Sequence, residues 1–352
     1  MTKRYVFTPR RTGTPRRNGF TMRRNRRWLS PMLLLPAALV GSAVLLSVLL
    51  SGGSGAPCSG NACEALVAGD EGAAVAAAVA SPTPRRSPRL GVEPVPKVTG
   101  LAASVIEEPC GATLYGLNER MHLPPASLTK IAAALAAVHH RDLSDIADIT
   151  VNGPALSDET DSTIMGLEPG MRLSLHDLLY GLLLPSGNDA AIAIAQFVAG
   201  DEPAFVALMN EETANMGLRD SRFENPHGLD APRHYTSAYD IATLGAALLR
   251  EPALAEIVRT KTYQPAWDGP ALQNLNLMLG NYHGVIGVKT GYTDLAGQTI
   301  VAAAERDGRR IIVSVLKSED LYVDSAALLD WAFNETNPAC EVTEAQAASV
   351  GR

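Results

Sequence analysis

A serine and a lysine lie three residues apart where an apolar, helix-forming run begins. They are Ser127 and Lys130, and the residues that follow are rich in Ala and Leu. Side chains at positions i and i+3 of a helix share a face, so these two can touch. A serine hydroxyl becomes an effective nucleophile when an adjacent base takes its proton, and a neutral lysine can be that base. The spacing therefore predicts Ser127 as a nucleophile with Lys130 as its base.

Two further groups of polar residues could complete such a site. Ser186 and Asn188 lie in a break between two apolar helical patterns, where a rigid scaffold can aim their side chains. Lys289 and Thr290 end an apolar strand pattern, and their ammonium and hydroxyl groups suit the carboxylate of a substrate. Gly291 would let a ligand approach the backbone closely. Together these groups predict a nucleophilic site that binds an anionic substrate.

Short motifs match by chance, and two of these have a second copy in the chain. Ser314 and Lys317 repeat the serine–lysine spacing in an alternating strand pattern, where positions i and i+3 point to opposite faces. Residues 59–61 repeat Ser-Gly-Asn within a stretch rich in Gly, Ala, Ser and Pro. The structural alternatives for the three chosen motifs are a helix cap, a polar turn and a solvated lysine. Their context favours the catalytic interpretation.

Composition divides the chain into five segments. Residues 1–30 contain ten Lys or Arg and no acid, and residues 31–50 are uncharged and long enough to cross a bilayer as a helix. Residues 51–98 are rich in Gly, Ala, Ser and Pro, which predicts an extended tether. Residues 99–340 contain the three motifs and form the predicted catalytic domain. Residues 341–352 form a short tail.

The distribution of charge predicts both the location of the protein and a class of partner to exclude. Positive residues stay on the cytoplasmic side, so an uncleaved helix at 31–50 would place the motifs outside the cell. A cleaved signal peptide, which would release the protein, is the alternative; the apolar segment is longer than a usual signal core. The net charge of −7 leaves −17 on residues 31–352. An acidic body argues against nucleic acid as a partner.

Strand patterns at both ends of the predicted domain enclose a series of helical patterns. Near its start, residues 102–107 and 113–117 form two short strand patterns. Near its end, residues 284–289 form another, and residues 298–305 and 309–316 resemble a hairpin. This order predicts an α+β fold in which one antiparallel sheet joins the two ends of the domain.

Cysteine and histidine spacing argues for disulfides and against a metal cofactor. No pair among Cys58, Cys63, Cys110 and Cys340 has the C-x-x-C spacing of metal or redox motifs. Export favours disulfides, and a sheet that joins the domain ends would bring Cys110 near Cys340, which leaves Cys58 for Cys63. Four free thiols are the alternative for a cytosolic protein. The adjacent pair His139–His140 is expected to diverge on its helix, so no metal site is predicted.

The order Ser-x-x-Lys, Ser-x-Asn, Lys-Thr-Gly resembles that of serine penicillin-binding proteins and class A β-lactamases. Over residues 100–335 the sequence is similar to the low-molecular-mass D-alanyl-D-alanine carboxypeptidases of peptidase family S11. The segments 124–130, 225–230 and 287–293 carry this resemblance. It implies a DD-peptidase/β-lactamase-like fold, with a helical subdomain that carries the Ser-x-Asn loop, and no cofactor.

The resemblance also implies an activity and a role for each catalytic side chain. Ser127 would attack the carbonyl between the two D-alanines of a peptidoglycan stem peptide, and water would later release the shortened stem. β-Lactam antibiotics would acylate the same serine. Lys130 would be the base, Ser186 would relay a proton to the leaving amine, and Asn188 would hold the substrate amide and Lys130.

The third motif would hold the substrate. Lys289 and Thr290 would bind the terminal carboxylate, with Gly291 beside them. The backbone N–H groups of Ser127 and Tyr292 would form the oxyanion hole, whose donors are fixed before charge develops. Many relatives carry an arginine between the last strand and the last helix that helps hold this carboxylate. Residues 318–331 contain no Arg or Lys here.

Two other functions compete with this interpretation. A class A β-lactamase needs a glutamate in a Glu-x-x-Leu-Asn pattern to activate the deacylating water. Glu224 lies at about the right place, but His227 and Gly228 stand where Leu and Asn would be needed. A catalytically idle, membrane-tethered wall-binding module is the other alternative, and the presence of every catalytic side chain argues against it.

Overall fold

A five-stranded antiparallel sheet forms the centre of the computed structural model, which describes residues 94–267 and 269–340. The strands of this part are β1 (Ala102–Glu108), β2 (Ala112–Leu117), β3 (Ile146–Asp148), β4 (Arg172–Ser174), β5 (Thr262–Tyr263), β6 (Leu272–Gln273), β7 (Val285–Thr293), β8 (Gly297–Arg306) and β9 (Arg309–Ser318). Its α-helices are α1 (Thr129–His140), α2 (Gly153–Thr160), α3 (Leu175–Leu183), α4 (Asn188–Ala199), α5 (Glu202–Asn215), α6 (Ala238–Arg250), α7 (Pro252–Arg259) and α8 (Leu321–Glu335).

Several sequence predictions concern residues outside this description. They are the membrane segment at 31–50, most of the tether, the tail at 341–352 and the Cys58–Cys63 pair. Within the described residues, no single helix combines the length and apolar character needed to cross a bilayer. Helices α4 and α5 reach that length and apolar character only when counted as one segment, and the two helices meet at a bend of 85°.

The sheet joins the two ends of the described chain, as predicted. Its strand order is β2-β1-β9-β8-β7, so the early strand β1 pairs with the late strand β9. Cys110, which follows β1, forms a disulfide with Cys340, which follows α8. The α+β prediction and the Cys110–Cys340 prediction are therefore confirmed. The strand pairs β3–β4 and β5–β6 escaped prediction, because strands of two or three residues are too short for alternation to be visible.

Both faces of the central sheet are covered. Alternate residues of a strand point to opposite faces, and Ile312 of β9 joins one apolar cluster while Val313 joins the other. The larger cluster contains the buried, Ala-rich helix α1 and helix α6, whose Gly245 leaves room for Val301 of β8. The smaller cluster contains one side of α8. This packing fixes α1 in the core, and the residues just before α1 contact the edge strand β7.

Two motif positions differ from the sequence prediction. Helix α1 begins at Thr129, after a separate 3-10 turn at Ala126–Leu128, so Ser127 precedes the helix proper. Strand β7 extends to Thr293, so Lys289 and its neighbours lie within the strand and do not end it. The polar residues after Val288 hide this continuation from an apolar pattern. Because β7 is the edge strand, its outer side is free to line a groove.

Candidate active site

The candidate nucleophile occupies the 3-10 turn that leads into α1. The Nζ atom of Lys130 lies 3.0 Å from Ser127 Oγ, as the three-residue spacing predicts. Neither the turn nor α1 has a side-chain cap, so the helix-cap alternative for Ser127 is wrong. The two side chains of the duplicate motif do not face each other. Ser314 is buried and its hydroxyl donates to the backbone oxygen of Ala238, whereas Lys317 is exposed.

Lys130 is fully buried and its amine has three polar contacts. Besides Ser127 Oγ, these are Asn188 Oδ1 at 2.7 Å and the backbone oxygen of His227 at 2.6 Å. Both carbonyl oxygens can only accept hydrogen bonds. A neutral amine has two N–H donors and one lone pair, so it can satisfy both carbonyls and still accept the proton of Ser127. The contacts match a neutral base without leaving a donor unused.

The electrostatics of Lys130 point the same way. Burial, and then the neighbouring positive charge of Lys289, hold the pKa of Lys130 well below its ordinary value, and the Asp189 carboxylate opposes this shift. A lysine base must lose its proton near neutral pH, and desolvation together with a like charge achieves that. The surroundings of Lys130 therefore favour the form that can deprotonate a serine.

The Ser-x-Asn loop connects α3 to α4 and is tied to a neighbouring segment. Ser186 has a left-handed φ of +65°, and its backbone oxygen accepts a hydrogen bond from Thr163 Oγ1 at 2.8 Å. Asn188 donates its N–H to the oxygen of Thr163 and its Nδ2 to Ser162 Oγ, both at 2.8 Å. Ser186 Oγ is buried without a hydrogen-bond partner among the described residues. That hydroxyl is free for the proton relay predicted for it.

Asp189 fixes this loop from behind. Its carboxylate is fully buried and accepts hydrogen bonds from four backbone N–H groups, those of Met165, Gly166, Leu167 and Ala190. Charge-assisted hydrogen bonds of this kind are about twice as strong as neutral ones. The carboxylate therefore joins residues 165–167 to the start of α4 and holds Asn188 in position.

Lys289 lies on β7, opposite the nucleophile. Its side chain is only 2% exposed, so the solvated-lysine alternative is wrong. The Nζ atom donates to the backbone oxygen of Thr290 at 2.9 Å, and burial lowers the pKa of Lys289 to about 7. A buried ammonium with one hydrogen-bond acceptor among the described residues is well suited to bind an arriving carboxylate.

The glycine of the third motif allows β7 to pass directly beside the nucleophile. A Cβ atom at Gly291 would lie 2.9 Å from the backbone nitrogen of Ser127 and 2.7 Å from Thr299 Oγ1. The next residue, Tyr292, is 65% exposed, and its hydroxyl donates to Asp294 at 3.2 Å. The two segments predicted to supply the oxyanion hole therefore lie side by side.

A loop formed by residues 225–230 closes the site on the third side. Asn225 holds its shape by accepting from the N–H of Gly228 and donating to the oxygen of Leu229. Gly228 has φ +95°, and a Cβ there would overlap the carbonyl of Ala126. Burial is the main cause that lowers the pKa of His227 to about 3, so its ring is neutral. The loop contributes a backbone carbonyl to the site and needs its glycine to do so.

Comparison with known proteins identifies the family. The family model for D-alanyl-D-alanine carboxypeptidase, peptidase S11, matches residues 91–320. The chain belongs to the S11 family. It is 33% identical to D-alanyl-D-alanine carboxypeptidase DacF of Bacillus subtilis over 253 residues, which are 67% of this chain and 63% of DacF. It is 35% identical to DacA of Escherichia coli K12 over 252 residues, which are 68% of this chain and 62% of DacA.

Solved structures of similar fold agree with this assignment. A D-alanyl-D-alanine carboxypeptidase from Mycobacterium tuberculosis is 31% identical, with a TM-score of 0.67 over 73% of this chain and 99% of that one. The Streptomyces K15 DD-transpeptidase is 25% identical, with a TM-score of 0.65 over 68% and 99% of the two chains. The chain nevertheless spans less than two thirds of the length of DacF and DacA.

In this S11 chain, Glu224 is unsuited to the water-activating role of the class A β-lactamase glutamate. Its Oε1 atom accepts from Arg222 Nε at 2.7 Å and lies 3.5 Å from Arg233 Nε. The hydrogen bond from Arg222 is the main cause that lowers the pKa of Glu224. A carboxylate held between two guanidinium groups is a weak base.

The junction between β9 and α8, which contains no arginine or lysine at residues 318–331, is internally hydrogen-bonded. Asp324 Oδ2 accepts from Ser318 Oγ at 2.6 Å and from Thr99 Oγ1 at 2.7 Å. These polar groups satisfy one another and bring no positive charge to the groove. The predicted carboxylate contacts therefore depend on Lys289 and Thr290.

The histidine pair at the end of α1 behaves differently from the prediction. His139 and His140 do not diverge, because the forked carboxylate of Glu212 on α5 spans both imidazoles, with His139 Nδ1 at 3.0 Å and His140 Nδ1 at 3.3 Å. Within residues 94–267 and 269–340, no group of three or more His, Cys, Asp or Glu side chains could hold a metal ion.

Several groups that shape the site escaped the sequence analysis. They are the Ser162 hydroxyl, the Asp189 carboxylate, the His227 carbonyl and the His234 ring. Asp189 had a detectable signal, since an acid directly after Asn188 at the start of an apolar helix is a candidate for binding backbone N–H groups. A backbone carbonyl such as that of His227 has no signature in residue type.

Proposed function

We propose that this protein is a serine-type D-alanyl-D-alanine carboxypeptidase, which removes the terminal D-alanine from peptidoglycan stem pentapeptides through an acyl-enzyme. The observation that carries this proposal is the contact set of the buried Lys130, whose Nζ atom lies 3.0 Å from Ser127 Oγ and within hydrogen-bond distance of two carbonyl oxygens. Membership of the S11 family supports the class of substrate.

In the acylation step, Ser127 Oγ attacks the carbonyl carbon between the two D-alanines while Lys130 takes the hydroxyl proton. The C–N bond then breaks, and the amine leaves as free D-alanine after it receives that proton through the Ser186 hydroxyl. Ser186 Oγ is buried and has no competing partner in the described part of the chain, which supports its role as the relay.

Substrate orientation comes from the opposite side of the groove. The Lys289 ammonium and the Thr290 hydroxyl bind the terminal carboxylate, which fixes the scissile carbonyl against Ser127. The backbone N–H groups of Ser127 and Tyr292 stabilise the negative charge that develops on the carbonyl oxygen. The closeness of Gly291 to the Ser127 nitrogen supports this arrangement.

Deacylation completes the cycle. Water attacks the ester while Lys130, neutral again, takes a proton, and the shortened stem leaves as Ser127 recovers its hydrogen. A β-lactam acylates Ser127 by the same attack, but its leaving amine remains attached through the opened ring. The ion-paired Glu224 offers no second base for rapid hydrolysis of that adduct, so we expect the adduct to persist.

The proposal is tested with full-length protein purified in detergent, as wild type and as Ser127→Ala. Wild type should release free D-alanine from a stem pentapeptide and retain a fluorescent penicillin, and the variant should do neither. Rapid turnover of the penicillin without release of D-alanine would favour a β-lactamase and contradict the proposal. Absence of reaction with both compounds would favour the idle wall-binding module.

We further propose that residues 31–50 anchor the protein in the cell membrane, with the N-terminus in the cytoplasm and the catalytic residues outside. The uncharged twenty-residue segment behind a cluster of cations supports this orientation. A protease added to intact spheroplasts should digest the catalytic domain and leave an N-terminal tag on residue 1 protected. Recovery of the tagged, full-length protein from the medium, or its protection from the protease, would contradict the proposal.

A further inference from the structure

A chain of buried hydrogen bonds runs behind the candidate nucleophile. His234 is 5% exposed, and its Nδ1 atom accepts from the backbone N–H of Glu224 at 3.0 Å. Its Nε2 atom lies 2.8 Å from Oγ1 of Thr129, the fully buried first residue of α1. Thr129 Oγ1 in turn donates to the backbone oxygen of Ala126 at 2.9 Å. The chain therefore ends on the residue that precedes Ser127.

The direction of each hydrogen bond in this chain is fixed. The Ala126 carbonyl can only accept, so the Thr129 hydroxyl proton points to it, and Thr129 Oγ1 accepts from His234 Nε2–H. His234 Nδ1 must carry a lone pair, because the Glu224 N–H points at it. One neutral tautomer meets all of these demands, and burial lowers the pKa of His234 to about 4, which keeps the ring neutral.

The last acceptor of the chain belongs to a residue in an unusual conformation. Ala126 has a left-handed φ of +51°, which is unfavourable for a residue with a Cβ. Such a conformation persists only where its surroundings enforce it. Its carbonyl orientation also sets the direction of the next N–H, that of Ser127. Whatever holds the Ala126 carbonyl therefore aims both the N–H and the hydroxyl of the nucleophile.

We propose that Thr129 and His234 are positioning residues that hold Ala126 in its left-handed conformation and so align Ser127 with Lys130 and the oxyanion position. They touch neither the substrate nor the reacting atoms in this scheme. The inference rests on Ser127 being the nucleophile of the function proposed above, and it adds a requirement that the three motifs do not contain.

The hydroxyl of Thr129 is tested with a pair of variants in the full-length protein. Thr129→Val keeps the shape of the side chain and removes the donor, whereas Thr129→Ser keeps the donor. The second-order rate constant for labelling by a fluorescent penicillin should fall about tenfold or more in Thr129→Val and stay within about threefold of wild type in Thr129→Ser.

The ring of His234 is tested by a second matched pair. His234→Gln retains an N–H donor at the distance of Nε2, and His234→Met has a similar length without one. Labelling should be slow in His234→Met and largely restored in His234→Gln. The double variant Thr129→Val/His234→Met should be no slower than Thr129→Val alone, because both changes break the same chain.

Thermal unfolding of each variant separates positioning from folding. The account requires slow labelling at temperatures where the variant is fully folded. The inference would be overturned if Thr129→Val were labelled at the wild-type rate, or if His234→Gln and His234→Met were labelled at equal rates. A loss of labelling that follows the unfolded fraction of the protein would also overturn it. Penicillin labels any active serine of this kind, so labelled wild type that releases no D-alanine would refute the proposed function and leave this test intact.

Discussion

Two buried lysines in the candidate site are suited to opposite charge states. Lys130 faces two carbonyls and a hydroxyl, which a neutral amine satisfies, and the charge of Lys289 helps to keep it neutral. Lys289 has one backbone acceptor and a place in the groove where a carboxylate is expected. Lys289 therefore helps Lys130 to act as a base, since a positive charge beside the base lowers the pKa of that base.

The charge of Lys289 leads to a prediction about pH. Burial lowers the pKa of Lys289 to about 7, so the free enzyme loses the carboxylate-binding ammonium as the pH rises through that value. Consequently kcat/KM for a stem pentapeptide should decline on the alkaline side of neutrality. Lys289→Arg keeps a positive charge at all accessible pH values and should abolish this decline, even if its activity is lower. The pH profile of kcat/KM measures both.

If the alkaline decline of kcat/KM were unchanged in Lys289→Arg, a group other than Lys289 would be its cause. Constant kcat/KM in wild type far into the alkaline range would show that Lys289 stays charged or is not needed. Lys130 acts at the other limb, where protonation of the base at low pH stops acylation.

At the level of single residues, the sequence predicted the side chains that meet at the candidate site and missed several of the groups that support them. The helical spacing of Ser127 and Lys130 predicted their contact, because a local geometry connects them. The contact of Asn188 with Lys130 followed from the family resemblance. The His227 carbonyl was beyond prediction, because any residue supplies the same carbonyl and only the fold brings it to Lys130.

At the level of elements, three short segments meet at one point. The 3-10 turn with Ser127, strand β7 with Gly291 and the loop 225–230 pack so closely that two of the contacts have no room for a Cβ. Thr293 on β7 also donates to Asp230 Oδ1 at 2.8 Å, which connects the strand to the loop. The site is therefore a junction of segments and depends on glycine at the points of closest approach.

Gly228 tests this dependence on close approach. Both Gly228, with φ +95°, and Gly200, with φ +90°, are left-handed, but a Cβ at Gly200 would meet open space. Gly200→Ala should lower the free energy of unfolding by about 1–2 kcal/mol through its left-handed φ alone, and Gly228→Ala by more, because its Cβ must also displace the Ala126 carbonyl. Only Gly228→Ala should also slow penicillin labelling, by about tenfold to a hundredfold, because it displaces the turn that carries Ser127.

Denaturant unfolding and labelling kinetics of the two glycine variants provide the comparison. Equal labelling rates for Gly228→Ala and Gly200→Ala would mean that the loop can give way without moving the nucleophile. The account would then lose its explanation for the glycine of the 225–230 segment.

At the level of the whole molecule, the disulfide and the active site lie at opposite ends of the central sheet. Cys110 follows Glu108, which pairs with Arg310 near the start of β9. Gly291 pairs with Thr299 near the start of β8, and because β8 and β9 are antiparallel, these two starts lie at opposite ends of the sheet. The bond joins residues that are 230 positions apart in the sequence. It fastens the segment after α8 to the turn after β1, far from the catalytic groups.

Replacement of both cysteines, Cys110→Ser with Cys340→Ser, should therefore destabilise the protein without impairing its chemistry. The free energy of unfolding should fall by about 2–5 kcal/mol, because the unfolded chain loses a long closed loop. Room-temperature kcat/KM for the pentapeptide should remain at the wild-type value. Wild type treated with a reductant serves as the control and should show the same loss in denaturant unfolding. Unchanged stability, or a parallel loss of kcat/KM, would contradict this separation of roles.

The global fold was more predictable than its details. Short strand patterns bounded by turns predicted the strands β1, β2, β8 and β9, and their position at both ends of the domain implied the sheet and the Cys110–Cys340 bond. The polar half of β7 was missed because it faces the groove, where function and not burial decides residue type. An edge strand that lines a binding site is therefore expected to depart from an apolar pattern.

The most direct test of the central claim is to locate the acyl group. Full-length protein is treated briefly with benzylpenicillin, digested, and mapped by mass spectrometry. The account predicts a penicilloyl adduct on the fragment that contains Ser127, and its absence from Ser127→Ala. An adduct on another serine such as Ser186, an undiminished adduct in Ser127→Ala, or no adduct on wild type would contradict it.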